Sequence, residues 1–314
     1  MKEKMQIEVS VIIPIYNEQE IIPELYSRLQ KSVSKISQNY ELIFVNDGSK
    51  DASIQELKKI ANTDSHVLYI NFSRNFGHQI AVTAGLHHAT GNAIVIIDGD
   101  LQDPPELIPE LYAKYKEGYK IVGAKRVSRK GETFFKKVTA KAYYRILKRI
   151  TNVDIPVDTG DYRLIDRKVV QAILAMDEPD KYIRGQVAWT GFKTTFVNFE
   201  RDERRFGTTG YSLKKMTKFA IDGITSFSSY PLKLASIFGF IVSGFAFCMV
   251  VYVLLSKYVF QTAVEGWPSL MLTILFLGGV QLICLGIIGE YLWRIMNTVR
   301  NRPLYIIEET NIES

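Results

Sequence analysis

The chain has 314 residues, with 39 Lys and Arg against 33 Asp and Glu, a formal net charge of +6, and 47% hydrophobic residues. That length can bury a sizeable core, while its two cysteines, Cys248 and Cys284, sit in apolar stretches and exclude a disulfide framework or a zinc-binding spacing. The positive charge suits anionic headgroups and phosphate ligands; it is dispersed and accompanied by no nucleic-acid-binding motif, so nucleic acid is not expected as a partner.

In chain order, Met1 to Glu8 is too short and too polar for a cleavable signal. Val9 to Ile15 predicts a strand that runs into Tyr16, Asn17 and Glu18, and Glu20 to Ser34 carries a helical pattern. Leu42 to Val45 predicts a second strand leading to Asn46, Asp47, Gly48 and Ser49, followed by helical spacing over Ala52 to Ala61. Ala93 to Ile97 is a further apolar run, and it opens on DGDLQDPPE, residues 98 to 106. Strand, helix and strand in alternation predict an α/β fold with a largely parallel sheet, whose ligands gather beyond the carboxyl ends of the strands. The chain has no G-x-G-x-x-G or G-x-x-x-x-G-K-[ST] at these junctions, so phosphate must be held by metal and basic side chains.

Asp98 and Asp100 stand two apart, so both carboxylates can face one ligand. A Mg²⁺ or Mn²⁺ ion held by one or two carboxylates takes its other ligands from water and substrate phosphates, which makes this a diphosphate site. Plainer readings exist for each acid: a strand-end turn for the pair, a cap on the following helix through Ser49 and Asp51 for Asp47, and a helix start near Glu106 for Pro104 and Pro105. His66, His78, His87 and His88 have no metal-binding spacing.

Leu234 to Leu255 contains no charged residue for 22 positions and Gly266 to Gly289 none for 24. At about 1.5 Å per residue either helix covers the ~30 Å hydrocarbon core. Lys214, Lys215, Lys218 and Lys233 precede the first span and Arg294, Arg300 and Arg302 follow the second, so both outer flanks are expected in the cytosol. Between Ser212 and Ser229, Leu213, Met216, Phe219, Ala220, Ile224 and Phe227 recur at helical spacing beside lysines, as in a helix lying in the lipid interface. The expected organisation is a cytosolic catalytic domain over 1–211, an amphipathic juxtamembrane segment over 212–233, transmembrane helices over 234–255 and 266–289, and a cytosolic tail over 290–314.

SVIIPIYNE (Ser10 to Glu18), VNDGS (Val45 to Ser49), SRNFGHQIAVTAGL (Ser73 to Leu86) and DGDLQDPPE, in that order, resemble the GT-A glycosyltransferases of family 2. DTGDYRL (Asp158 to Leu164), RRFGTTGYSLKK (Arg204 to Lys215) and the apolar spans narrow the resemblance to the polyprenyl-phosphate glycosyltransferases, similar to dolichol-phosphate mannose synthase and the bacterial GtrB proteins. The resemblance covers nearly the whole chain. It implies a Rossmann-like GT-A catalytic domain followed by amphipathic juxtamembrane helices and a two-helix membrane hairpin. It also implies inverting transfer of one sugar from a nucleotide sugar to a polyprenyl phosphate such as undecaprenyl phosphate, in a plasma-membrane homo-oligomer, a tetramer in related proteins. Pro14, Tyr16, Glu18, Asp47 and Asp98 are the implied nucleotide-sugar contacts. Asp98, Asp100 and Gln102 are the implied Mg²⁺ or Mn²⁺ ligands, Asp100 with a catalytic part, and Asp158 matches a residue proposed as base.

A polyprenyl monophosphate has a second pKa of about 6 and arrives already anionic at pH 7, so cations near the acceptor should matter more than a strong base. Arg126, Lys137, Arg204, Arg205, Ser212 and Lys214 are the candidates by position. The family's usual Gly, small or acidic residue, Ser and Lys reads here as Gly210, Tyr211, Ser212, Leu213 and Lys214, which leaves Ser212 and Lys214 less firmly matched. The favoured donor is UDP-glucose, with a UDP-linked 4-amino-arabinose derivative, GDP-mannose or a UDP-N-acetylhexosamine as alternatives. A processive synthase would need a Q-x-x-R-W motif, which is absent; a non-turning-over membrane-anchored nucleotide-sugar-binding scaffold is the reading from another class.

Overall fold

The computed structural model describes residues 7–126, 159–176, 178–179, 181–199, 230–258 and 266–312. The chain divides into two units, one comprising Met1–Met216 with Arg302–Ser314 and the other Thr217–Asn301.

Among the described residues, the first unit is an α/β sheet of eight strands. In chain order its elements are β1 (Val9–Ile15), α1 (Ile22–Val33), β2 (Tyr40–Asn46), α2 (Ser53–Ala61), β3 (Val67–Phe72), α3 (His78–His88) and β4 (Ala93–Ile96). A single 3₁₀ turn at Pro105–Leu107 then leads to α4 (Ile108–Lys116), β5 (Ile121–Arg126), β6 (Thr159–Asp166), α5 (Arg167–Leu174), α6 (Ile183–Trp189) and β7 (Thr194–Phe199). β8 (Ile307–Thr310) closes the unit. The strand order is β7-β5-β6-β4-β1-β2-β3-β8. β4, β1, β2 and β3 pair in parallel, as the apolar runs of β1, β2 and β4 predict, with β3 a parallel strand not among those predicted; β6 is antiparallel to both neighbours and β8 is antiparallel to β3.

Every residue of β1, β2 and β4 is buried, as strands covered on both faces must be. Val9, Val11, Ile13 and Ile15 enter one apolar layer with Leu25, Leu29 and Val33 of α1; Ile12 enters the opposite layer with Ala81 and Ala84 of α3. α3 lies so close to β1 that a Cβ at Gly85 would sit 2.3 Å from Ile12 Cγ2. Asp166 caps α5 by accepting from Lys168 N at 2.9 Å.

β8 is a feature that the tail expected over 290–314 does not contain. It pairs Ile70 with Thr310 and Phe72 with Ile307, Ser73 N donates to Ile306 O at 3.1 Å, and Tyr305 stacks on Phe72 with ring centroids 5.1 Å apart.

The second unit contains two long helices, α7 (Tyr230–Tyr258) and α8 (Trp267–Val299), which extend beyond the predicted spans 234–255 and 266–289. They touch: Cys284 Sγ lies 3.7 Å from Ala235 O. Phe276–Val299, mean hydropathy 1.5, is the stretch among the described residues that is long and apolar enough to cross a membrane. The amphipathic pattern of Ser212 to Ser229 lies outside the described residues.

Candidate active site

The site forms beyond the carboxyl ends of the parallel strands β1 to β4. The loops after β1 and β2 are laced together: Asn17 N donates to Ser49 Oγ at 2.9 Å, Lys50 N to Asn17 Oδ1 at 2.8 Å, and Gln19 N to Asp51 Oδ2 at 3.2 Å. Glu18 joins through its backbone N, which donates to Ser53 Oγ at 3.1 Å. Asn17 takes a φ of 56°, a conformation Asn tolerates, and Tyr16 beside it is 45% exposed.

Asp47 is buried directly after β2. Its carboxylate accepts from Phe76 N at 2.7 Å, Gly77 N at 2.9 Å and Asn75 Nδ2 at 2.9 Å. Burial pushes its carboxyl up, and the two backbone N–H groups oppose that shift. The reading of Asp47 as a cap on α2 is therefore corrected: Asp51 Oδ1 accepts from Ser53 N at 3.1 Å at the start of that helix, while the Asp47 carboxylate organises the loop entering α3. Gly48 explains why that loop can approach. It has φ 62°, and a Cβ there would lie 2.3 Å from Arg74 C, a backbone atom that cannot yield cheaply.

Gly99 does the equivalent work between the paired acids. A Cβ at that position would meet Ile15 Cδ1 at 2.5 Å and Pro14 O at 2.9 Å, so its absence brings the DGD turn against the end of β1. Asp100 Oδ1 accepts from Gln102 N at 3.2 Å, with Leu101 between them at φ 55°. Asp98 Oδ1 is buried and accepts no hydrogen bond among the described residues; His78 Nε2 stands 3.5 Å away. Burial is the main cause that pushes the Asp98 carboxyl up, with His78 opposing and the charges of Asp161 and Asp100 reinforcing it. A carboxylate oxygen without a hydrogen bond among the described residues, beside a second acid, fits a hard divalent cation. No group of three or more His, Cys, Asp or Glu converges as a metal cage among the described residues, so such a cation would complete its shell from water and diphosphate oxygens.

Asp161, Arg184 and His78 form the site's other half. Arg184 grips Asp161 bidentately, Nε to Oδ1 at 2.7 Å and Nη2 to Oδ2 at 2.9 Å. His78 Nε2 lies 3.5 Å from Asp161 Oδ2 as well as from Asp98, and Gln79 Nε2 donates to Asp161 at 3.4 Å. Burial works against the charge on Asp161, but Arg184, with His78 and Arg163, outweighs it and holds the carboxyl well below its ordinary value. For His78 burial likewise works against the imidazolium, yet the bond to Asp161 and the charges of Asp98 and Asp161 push it up to about 9. Arg163 is held by Gly160 O at 2.8 Å.

Of the predicted site residues, the fold thus gathers Asp98, Asp100 and Gln102 in one turn against Pro14 near the end of β1, and places Tyr16, Glu18 and Asp47 on the adjoining loops. Arg126 ends β5, with Nη2 3.5 Å from the fully buried Asp103. Lys137, Asp158, Arg204, Arg205, Ser212 and Lys214 lie outside the described residues. Sequence reasoning missed Arg184, in a segment without a motif, and the partnership of His78 with Asp98; Asp161 falls inside the DTGDYRL motif, but nothing in the sequence signals that an arginine 23 residues on would pair with it.

Residues 10–174 match the family model described as glycosyl transferase family 2, a span that holds the paired acids Asp98 and Asp100, the Asp47-held loop and Asp161. The chain belongs to glycosyl transferase family 2. Within that family it is 52% identical over 304 residues to the glycosyltransferase YkcC of Bacillus subtilis (strain 168), covering 97% of this chain and 94% of that protein. It is 46% identical over 305 residues to a Synechocystis glycosyltransferase, with 97% and 96% covered. To a prophage bactoprenol glucosyl transferase homolog of Escherichia coli (strain K12) it is 41% identical over 300 residues, with 96% and 98% covered.

Proposed function

We propose that this enzyme transfers one glucose from UDP-glucose, with inversion, to a polyprenyl phosphate at the cytosolic face of the plasma membrane. The observation that carries the reading is the buried, unbonded Asp98 Oδ1 beside Asp100 at the mouth of a family 2 site. The choice of sugar and acceptor draws on the name of the relative from Escherichia coli, a bactoprenol glucosyl transferase homolog with which alignment runs almost end to end.

A Mg²⁺ or Mn²⁺ ion held by Asp98 and Asp100, with Gln102 as a further oxygen donor, would neutralise charge on the departing diphosphate. The chain's own groups do the positioning. Asp47 fixes the loop at Asn75 to Gly77 and hence the start of α3, so His78 is delivered beside Asp98. The Arg184 fork keeps Asp161 ionised, which keeps His78 charged near the place where negative charge develops. The acceptor phosphate is already anionic, so Arg126 and the basic residues of the segments beyond the described ones serve to bring two anions together, bidentately in the case of arginine. Asp158 is assigned to orienting the acceptor rather than to a demanding proton abstraction.

The topology of the sheet supports two membrane spans. β7 and β8 belong to the same sheet, which favours an even number of crossings between Phe199 and Ile307. A crossing by Phe276–Val299 fits that connectivity with a partner span, for which the 29-residue helix α7 is our candidate.

The test is transfer of radiolabelled glucose from UDP-glucose into a lipid extract by the purified protein supplied with undecaprenyl phosphate, with and without divalent ion. Labelled lipid that requires both acceptor and metal is expected. Label transferred from another nucleotide sugar but not from UDP-glucose would overturn the donor assignment, and no transfer from any donor would overturn catalysis.

A further inference from the structure

DGDLQDPPE carries a third aspartate to which the paired-acid chemistry gives no task. Asp103 is completely buried, and a buried carboxylate needs a compensating charge. Arg126 Nη2 lies 3.5 Å from Asp103 Oδ1. The same Nη2 would be only 2.9 Å from a Cβ at Gly160. The glycine of DTGDYRL therefore leaves the room in which this arginine lies.

The segment that carries Asp103 is itself pinned at three successive residues. Tyr162 Oη donates to Pro104 O at 2.9 Å, Ser32 Oγ to Pro105 O at 2.6 Å, and Arg28 grips Glu106 with bonds of 2.8 and 2.7 Å. A carboxylate on so fixed a backbone can orient a long, rotatable side chain, which is the way a supporting shell sharpens a site. The same loop that bears Asp98 and Asp100 thereby reaches the end of β5.

We propose that Asp103 is a positioning residue that holds Arg126 toward the acceptor phosphate, coupling the donor's diphosphate loop to acceptor binding. This rests on the reading of Arg126 as an acceptor contact. Asp103 touches neither substrate. Its role is to fix the direction of the guanidinium, with Gly160 as the complementary clearance.

A double-mutant cycle separates the possibilities. Asp103→Asn keeps the shape and removes the charge; it should raise KM for undecaprenyl phosphate about tenfold while KM for UDP-glucose and calorimetric binding of UDP with Mn²⁺ stay within twofold. Arg126→Ala should raise the same acceptor KM, and adding Asp103→Asn to it should change that KM by less than twofold. Effects of the two substitutions that multiply, or loss of UDP and Mn²⁺ binding in Asp103→Asn matching the acceptor defect, would overturn the proposal while leaving the acceptor reading of Arg126 intact. An Arg126→Ala variant with the parent's acceptor KM would overturn that reading and the proposal with it. Should Asp103→Asn not fold, Gly160→Ala decides: its Cβ pushes the guanidinium from its place with Asp103 intact, so an unchanged acceptor KM would also overturn the proposal.

Discussion

Asp47→Asn separates a loop-holding role from a purely ligand-binding one. The carboxylate accepts from two backbone N–H groups and one side-chain amide, at 2.7, 2.9 and 2.9 Å. An amide in its place offers one oxygen, and its NH₂ group faces donors, so roughly two of these bonds are lost. A hydrogen bond to a charged group contributes about 1.5 to 3 kcal/mol. Burial, the dominant influence on this carboxyl, opposes its charge and favours the lower figure, giving a cost of about 3 kcal/mol. At roughly 2 to 4 °C per kcal/mol for a domain of this size, the melting temperature of the sheet unit should fall by about 6 to 12 °C. Thermal melting gives the global number, and amide hydrogen exchange at Phe76 and Gly77 should accelerate most. UDP affinity should weaken together with exchange protection. A variant that loses UDP binding while melting and exchanging like the parent would show that Asp47 serves only as a ligand.

Asp100→Asn should lower metal-dependent glucose transfer by roughly a hundredfold or more, since a neutral amide loses its charge attraction to the cation; a folded variant with near-normal transfer would remove Asp100 from the site. Asp161 should contribute to acid stability with a definite sign. Its folded pKa lies below the unfolded value, so its stabilisation is complete above the ordinary carboxylate range and is lost as pH falls through the folded pKa. Urea midpoints measured from pH 5 downward should therefore fall more steeply for the parent than for Asp161→Asn, and parallel curves would refute the ion pair's contribution. On the proposed two-span reading, reporters fused before Met1 and after Ser314 should both be active only in the cytosol; an external C-terminal reporter would overturn that reading.

Much of the catalytic framework was legible because strands buried on both faces must be apolar and must end where polar residues begin. Val9–Ile15 was predicted to the residue, and Leu42 to Val45 and Ala93 to Ile97 fell on β2 and β4 within one or two positions. The acids at their ends were legible for the same reason, since period-two geometry needs no knowledge of the rest of the chain. The antiparallel flank was not. β6 inserts between β4 and β5, although Ala93 and its partner Asp166 are 73 positions apart, and β8 reaches β3 across some 240 positions. Pairing at such separations leaves no local periodicity.

The sequence by itself determined the parallel centre of the sheet, the paired acids, the apolar helices and the family. Only the tertiary structure decided what each acid is bonded to. Asp47 is spent on the loop before α3, Asp161 on an arginine 23 residues away, and Asp103 lies beside Arg126, while Asp98 keeps an oxygen unbonded. The physical reason is that an aspartate has the same local signature whether it receives backbone N–H groups, a guanidinium or a metal. The partner is chosen by burial and by which segments meet, and both come into being only when the chain is folded.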